Sequence, residues 1–286
     1  VPTYDPRRLA PRIVHVGVGG FHRAHLALYA HELASDGSNW GIVGLGLLPH
    51  DAAMAQALRS QDFLYTLIEK GGGEPSAQVI GTIIGFVHAP EGGGDAAVAA
   101  LVASPATSII SLTITESGYT EPTENGMRTT FDRIAAALAL RRERDAGPVT
   151  ILSCDNLPGN GTAARSAALA AAARVDPALA GWVEDNCRFP NSMVDRITPA
   201  TTDADRAWLR DSAGVDDAWP VVAEPFRQWV MEDAFAADRP AFEDVGVLFT
   251  DRIGDWEQYK LRMLNATHSS MAYLCALAGI TFVHEA

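Results

Sequence analysis

Three polar side chains recur at helical spacing in Trp256-Glu257-Gln258-Tyr259-Lys260-Leu261-Arg262-Met263-Leu264-Asn265-Ala266-Thr267-His268. On a helix of 3.6 residues per turn, Lys260, Asn265 and His268 fall at about 0°, 140° and 80°, so Lys260 and His268 share a side with Asn265 beside them. Leu261, Leu264, Met271 and Leu274 flank them, which puts polar groups at the margin of an apolar surface, where they need partners. Two readings are open: a solvated polar face, or a site. In a site, a lysine accepts the proton of a substrate hydroxyl while a hydride leaves for a nicotinamide, and an Asn amide donates to the oxygen as charge develops on it. A lysine does this without a metal if its pKa falls towards neutrality. Arg262 lies at about 200° from Lys260, so desolvation rather than a neighbouring cation is the expected cause.

A hydride needs an acceptor, and the start of the chain has the pattern of a dinucleotide turn. The apolar run Arg12-Ile13-Val14-His15-Val16 leads straight into Gly17-Val18-Gly19-Gly20. In such a turn the first glycine permits the tight bend and the second lets the backbone approach a pyrophosphate. Gly17 and Gly19 fit those roles, but His22 stands where a third glycine is expected, so this segment alone is a degenerate match that reads first as a tight strand-to-helix turn. Asp51 follows the second strand, with no Arg or Lys between Gly41 and Leu58. A carboxylate there suits ribose hydroxyls, and a 2′-phosphate lacks a cation, so NAD is expected over NADP. His22 and His25 imitate a zinc pair, but no Cys or Glu stands at helpful spacing, and no metal is expected.

Strands over 12–16 and 40–45, helices from Ala24 to about Asp36 and over Asp51–Arg59, and further strands at Ser108–Thr115 and Val149–Ser153 make an alternating βα pattern. The glycine triplets Gly71–Gly73 and Gly92–Gly94 bracket Gln78–Phe86, which reads as extended and suggests an inserted antiparallel hairpin. Ala-rich helices are expected around Phe131–Arg144 and Ala163–Arg174, and a long helix over Trp256–Leu277. The fold class is therefore α/β: a Rossmann-like doubly wound sheet followed by a mainly α-helical substrate domain. The dinucleotide-binding domain is placed at 1–197 and the start of the helical domain at 198–286.

The 286 residues, 48% of them hydrophobic, suffice for a sizeable core and about two domains. With 22 Lys and Arg against 35 Asp and Glu, the formal charge of -13 opposes binding to nucleic acid or an anionic membrane face. Cys154, Cys187 and Cys275 are too few and too scattered for a disulfide framework, so free thiols and a cytoplasmic location are expected. Nothing in the sequence speaks to oligomeric state.

Taken together, the segments His15 to His25, Ser111 to Tyr119, Ser153 to Gly161, Phe189 to Ile197 and Lys260 to His268 closely resemble the mannitol dehydrogenase family of polyol-specific long-chain dehydrogenases and their sugar-acid relatives. In that family His22 in place of the third glycine is an ordinary variation. The resemblance implies that Lys260 is the general base and that Asn156 and Asn265 are the amides holding the substrate oxygen. It makes His268 the residue that orients the substrate and puts Asp195 at the sugar-binding edge. Glu116 would lie near the nicotinamide, and Glu257 is a second candidate to relay protons to solvent. Gly17, Gly19, Gly20, Phe21, Asp51, Thr115 and Asn156 would face the cofactor. The implied reaction interconverts a linear polyol and a ketose, foremost D-mannitol and D-fructose. A fructuronate or tagaturonate reductase is the alternative, and a catalytically silent NAD-binding module is an alternative of another class. Family members continue well past the lysine helix, whereas this sequence stops at Ala286. The helical domain is therefore expected to be incomplete, and the apolar side of Met263–Leu277 to lack its cover.

Overall fold

The structure is a computed structural model that describes residues 1–71, 73–119, 129–281 and 285. The chain opens with β1 (Ala10–Val16), the short α1 (Gly20–Ala24) and α2 (Leu26–Ser35), then β2 (Trp40–Gly46) and α3 (Ala52–Arg59). It continues through β3 (Tyr65–Glu69), β4 (Ser76–Ile80), β5 (Ile83–His88), α4 (Gly94–Val102), β6 (Ile109–Leu112), α5 (Thr130–Glu143), β7 (Val149–Ser153), α6 (Asn160–Val175) and α7 (Pro177–Asn186). The remainder is β8 (Cys187–Arg188), β9 (Ser192–Asp195), α8 (Asp203–Ala213), β10 (Val221–Ala223), β11 (Gln228–Met231), β12 (Leu248–Phe249), α9 (Ile253–Tyr259) and α10 (Ala266–Leu277).

Six strands form one parallel sheet in the order β5-β2-β1-β6-β7-β8. Strand order reverses between β1 and β6, the switch point beyond whose carboxyl ends such sheets bind ligands. Alternation along the strands explains the covering on both faces. Ile13, Ile42, Ile109 and Leu152 point into a core shared with α2 and α3, while Val14, Leu45, Ile110 and Ile151 point into one shared with α4, α5, α6 and α7. The alanines of α6 find their reason there: Ala164, Ala168, Ala171 and Ala172 are buried, and their small side chains let the helix approach its neighbours closely.

The hairpin lies earlier than the glycine spacing suggests. β4 pairs antiparallel with β3 across residues 70–75, of which Gly72 lies outside the described residues, whereas β5 joins the main sheet parallel to β2. β10 extends this hairpin into a three-stranded sheet by pairing with β3, and β11 pairs with β9 and β12 in another. The first helix is broken at His25 (φ -121°, ψ -94°), which separates α1 from α2.

From Ile253 to Leu277 the chain is helical throughout, but its middle turn, Lys260–Asn265, is a π-helix in which Ala266 N–H donates to Leu261 O, five residues back. Met263, Tyr273, Leu274 and Leu277 are exposed along it. Among the described residues no helix is long and apolar enough to cross a membrane.

Candidate active site

Beyond the carboxyl ends of β1 and β6, two cavities of about 390 and 680 Å³ meet at Gly17, Gly19, Thr113 and Thr115. Gly17 makes the bend at φ 91°, and its carbonyl accepts Thr113 Oγ1 at 2.6 Å and Gly19 N–H at 2.7 Å. A Cβ on Gly17 would stand 2.2 Å from Thr113 O, whereas one on Gly19 would meet nothing nearer than 3.9 Å. The bend is thus closed on its inner side and open towards the cavity, which is what a close-approaching pyrophosphate requires. Gly17→Ala combines a left-handed backbone with a clash against main chain, and is expected to cost about 2–4 kcal/mol, read as a lowered urea midpoint with unchanged slope.

Three histidines support the bend from behind. His15 holds Ser111 Oγ at 2.8 Å, Thr113 Oγ1 at 3.0 Å and Gly17 O at 3.2 Å, and its ring stacks on His22 with centroids 3.4 Å apart. His25 reaches Gln228 O at 3.2 Å and stacks on Phe21, which lines the smaller cavity. All three are fully buried. Burial depresses His15 and His25 to about 3 and takes His22 well below its ordinary value, with His15 and Arg23 adding to the effect on His22. These rings are neutral packing elements, and the His22/His25 pair faces the core. Among the described residues no group of three or more His, Cys, Asp or Glu is placed to hold a metal ion.

One end of the joined cavities reaches Asp51. Its Oδ2 accepts Leu48 N–H at 2.9 Å, and its side chain remains about a quarter exposed beside His50. Arg133 lines the same cavity, with its Nε on Asp95 at 3.0 Å.

The other end reaches Lys260, whose Nζ lies 3.0 Å from Asn156 Oδ1, 2.5 Å from Val194 O and 3.4 Å from Asp195 Oδ1. An ammonium has three protons, and three acceptors meet them. Three elements make this convergence: the loop after β7, the end of β9 and the widened turn after α9. Glu257, one turn before Lys260, accepts the N–H of Gly159 at 2.8 Å and so ties the helix to the loop that carries Asn156.

The wheel of 3.6 residues assumes a uniform pitch, which this helix does not have. Through the π turn, residues five apart stack, and Asn265 lines a 110 Å³ cavity together with Asn156, Glu257 and Lys260. His268 is exposed and lines none of the three cavities, and neither does the exposed Glu116. The structure thus brings Lys260, Asn156, Asn265, Asp195 and Glu257 together and leaves His268 and Glu116 outside.

Asp155, unmarked by spacing, lines the same cavity as Lys260 and joins three donors. Its carboxylate accepts Thr115 N–H at 2.8 Å, Ile114 N–H at 3.2 Å and the Tyr119 hydroxyl at 2.6 Å. Burial raises its pKa while these hydrogen bonds oppose the rise. Burial also raises Tyr119, and the Asp155 charge adds to that. An acidic residue two positions after the end of the buried strand β7 was the one available local signal.

Two family models match the chain: one described as mannitol dehydrogenase Rossmann domain, over residues 11–244, and one as mannitol dehydrogenase C-terminal domain, over residues 252–286. A mannitol 2-dehydrogenase of Pyricularia oryzae is 45% identical over 310 residues, covering 100% of this chain and 61% of the relative. One of Cereibacter sphaeroides is 44% identical over 304 residues, covering 100% and 63%. Among solved structures, Pseudomonas fluorescens mannitol 2-dehydrogenase in ternary complex with NAD and D-mannitol superposes with a TM-score of 0.91 at 43% identity, over 99% of this chain and 62% of that one. The chain spans about three fifths of the length of these relatives.

Proposed function

The chain belongs to the mannitol dehydrogenase family, and on that premise we propose that it forms the nucleotide-binding and base-carrying part of an NAD-dependent polyol dehydrogenase. The observation that carries this reading is the shape of the joined cavities, which run from Asp51, past the open side of Gly17 and Gly19, to Lys260 and Asn156. A dinucleotide laid along them has its pyrophosphate on the glycine bend and its nicotinamide beside the lysine. Asp51 at the far end suits ribose hydroxyls and disfavours a 2′-phosphate, and the cation in that lobe, Arg133, is engaged by Asp95.

When bound, NAD supplies the hydride acceptor. In polyol oxidation, Lys260 takes the hydroxyl proton as the hydride leaves the carbon that bears the hydroxyl, and a ketone remains. In ketone reduction the ammonium returns that proton. Asn156 presents its oxygen to Lys260, which leaves its amide N–H groups, with those of Asn265, as donors for the substrate oxygen. The scheme needs no metal, because the lysine supplies the proton acceptor and the amides supply the charge stabilisation. Asp195 and Glu257 border the base on either side, the first towards the substrate and the second as a route for protons to solvent. A cytoplasmic setting keeps the three thiols free.

A polyol is favoured over a sugar acid. Besides Lys260, the cation of the smaller cavity is Arg196, and its guanidinium is held by Glu69 and by the carbonyls of Ala24 and Glu224. A uronate carboxylate would have to displace these. With the full-length protein, NADH absorbance is expected to grow with NAD and D-mannitol, with D-fructose as product and no loss on adding a chelator. Turnover confined to NADH and fructuronate would overturn the choice of substrate.

A further inference from the structure

We propose that Asp155 is a positioning residue that fastens the turn after β6 to Asn156, so that the nicotinamide seat and the proton acceptor are held as one unit. The inference rests on the reading of the site as a dinucleotide-dependent dehydrogenase.

The turn needs a fastener. Thr115 sits at φ 63°, a left-handed conformation that a β-branched residue avoids. Its N–H and that of Ile114 both end on the Asp155 carboxylate. Thr115 borders both large cavities, at the point where they meet. Strain of this kind persists only where the surroundings over-determine it, and the three donors on one buried carboxylate supply that. The main chain of Asp155 is anchored from the other side. Asp155 O accepts Asn160 Nδ2 at 3.0 Å, and the same fully buried Asn160 amide binds Ser153 O and Ser192 O. The next residue in the chain is Asn156, whose Oδ1 accepts Lys260 Nζ. A continuous path therefore runs from Thr115 through Asp155 and Asn156 to Lys260. A shift of the β6 turn is transmitted to the group that receives the proton.

Ionised, the carboxylate accepts all three donors. Replacing it by an amide places an NH2 against N–H donors, so Asp155→Asn frees the strained turn. The groups facing the carboxylate are Tyr119 and Cys154, with Lys260 and Asp195 across the cavity. Tyr119→Phe removes only one hydroxyl, and with it a hydrogen bond that keeps Asp155 ionised.

The test uses the full-length protein with NAD and D-mannitol. For Asp155→Asn, KM for NAD is expected to rise about ten- to a hundredfold, with kcat also lowered, the loss of charge-assisted hydrogen bonds at one site. For Tyr119→Phe, the acid limb of kcat/KM for NAD is expected to move to higher pH, because the carboxylate protonates sooner; a hydroxyl that only fills space would leave that limb in place. An Asp155→Asn protein that melts like the wild type and keeps both constants within about twofold overturns the inference. If Asp155→Asn does not fold, an unmoved acid limb in Tyr119→Phe overturns it and a raised one supports it. A wild-type protein that neither binds nor reduces NAD removes the dehydrogenase reading and this inference with it. An active wild type with unaffected variants removes the inference alone.

Discussion

Replacing Lys260 by alanine is expected to leave NAD affinity within about twofold of the wild type and to lower mannitol turnover by roughly 10²- to 10⁴-fold, the usual contribution of a positioned general base. The separation follows from geometry. The glycine bend and Asp51, proposed to lie along the body of the dinucleotide, are not among the partners of Lys260, whose Nζ meets Asn156, Val194 O and Asp195 at the far end of the smaller cavity. The lost proton acceptor should be partly replaced from solution, so added primary amines or higher pH should restore part of the rate. Isothermal titration with NAD and initial rates on one preparation check both halves. A variant that loses affinity and turnover equally would mean that Lys260 holds the cofactor rather than the proton.

The second large effect is on stability in acid. An unfolded histidine titrates near its ordinary value of 6.5, whereas burial holds His15 and His25 at about 3 in the fold. Below pH 6.5 the unfolded chain therefore binds protons that the folded chain refuses. The stabilisation present above that pH is lost progressively as the pH falls from 6.5 towards 3. At pH 5 each of these two residues costs about 2 kcal/mol, and His22, shifted in the same direction, adds to the sum. The carboxylates held low by arginines, such as Asp132 and Asp233, lose their contribution only nearer pH 4, and Asp155, raised by burial, works weakly the other way. Between pH 7 and 5 a fall in Tm of roughly 10 °C is expected by calorimetry. A Tm constant over that interval would mean that the three rings are hydrated or paired rather than sealed behind the glycine bend.

The same histidines mark where the sequence is legible and where it is not. The succession of apolar strand, glycine bend and helix at the start of the chain is local, and it appears as expected in β1, Gly17–Gly20 and α1. That His22 stacks on His15 depends in turn on β6, whose Ser111 and Thr113 hold the His15 ring from 96 and 98 residues away. Helical spacing singled out the Lys260 segment, whose lysine the structure places in the smaller cavity, but it assumed a uniform pitch. The π turn sets Asn265 in a cavity with the lysine, and apolar periodicity carries no sign of such a turn. Asn156 entered through family resemblance, because nothing local reveals that a loop after β7 will meet a helix 104 residues later. Asp155 stayed invisible for a related reason, since its donors come from Ile114, Thr115 and Tyr119.

A crystal structure of the full-length protein with NAD and D-mannitol tests the central claim most directly. The expected result is a nicotinamide beside Thr115 and Asn156, with one mannitol hydroxyl within about 2.6–3.2 Å of Lys260 Nζ and its carbon facing C4 of the ring. A nicotinamide outside this cavity, or a mannitol with no hydroxyl on Lys260, would contradict the assignment of Lys260 as the group that takes the proton.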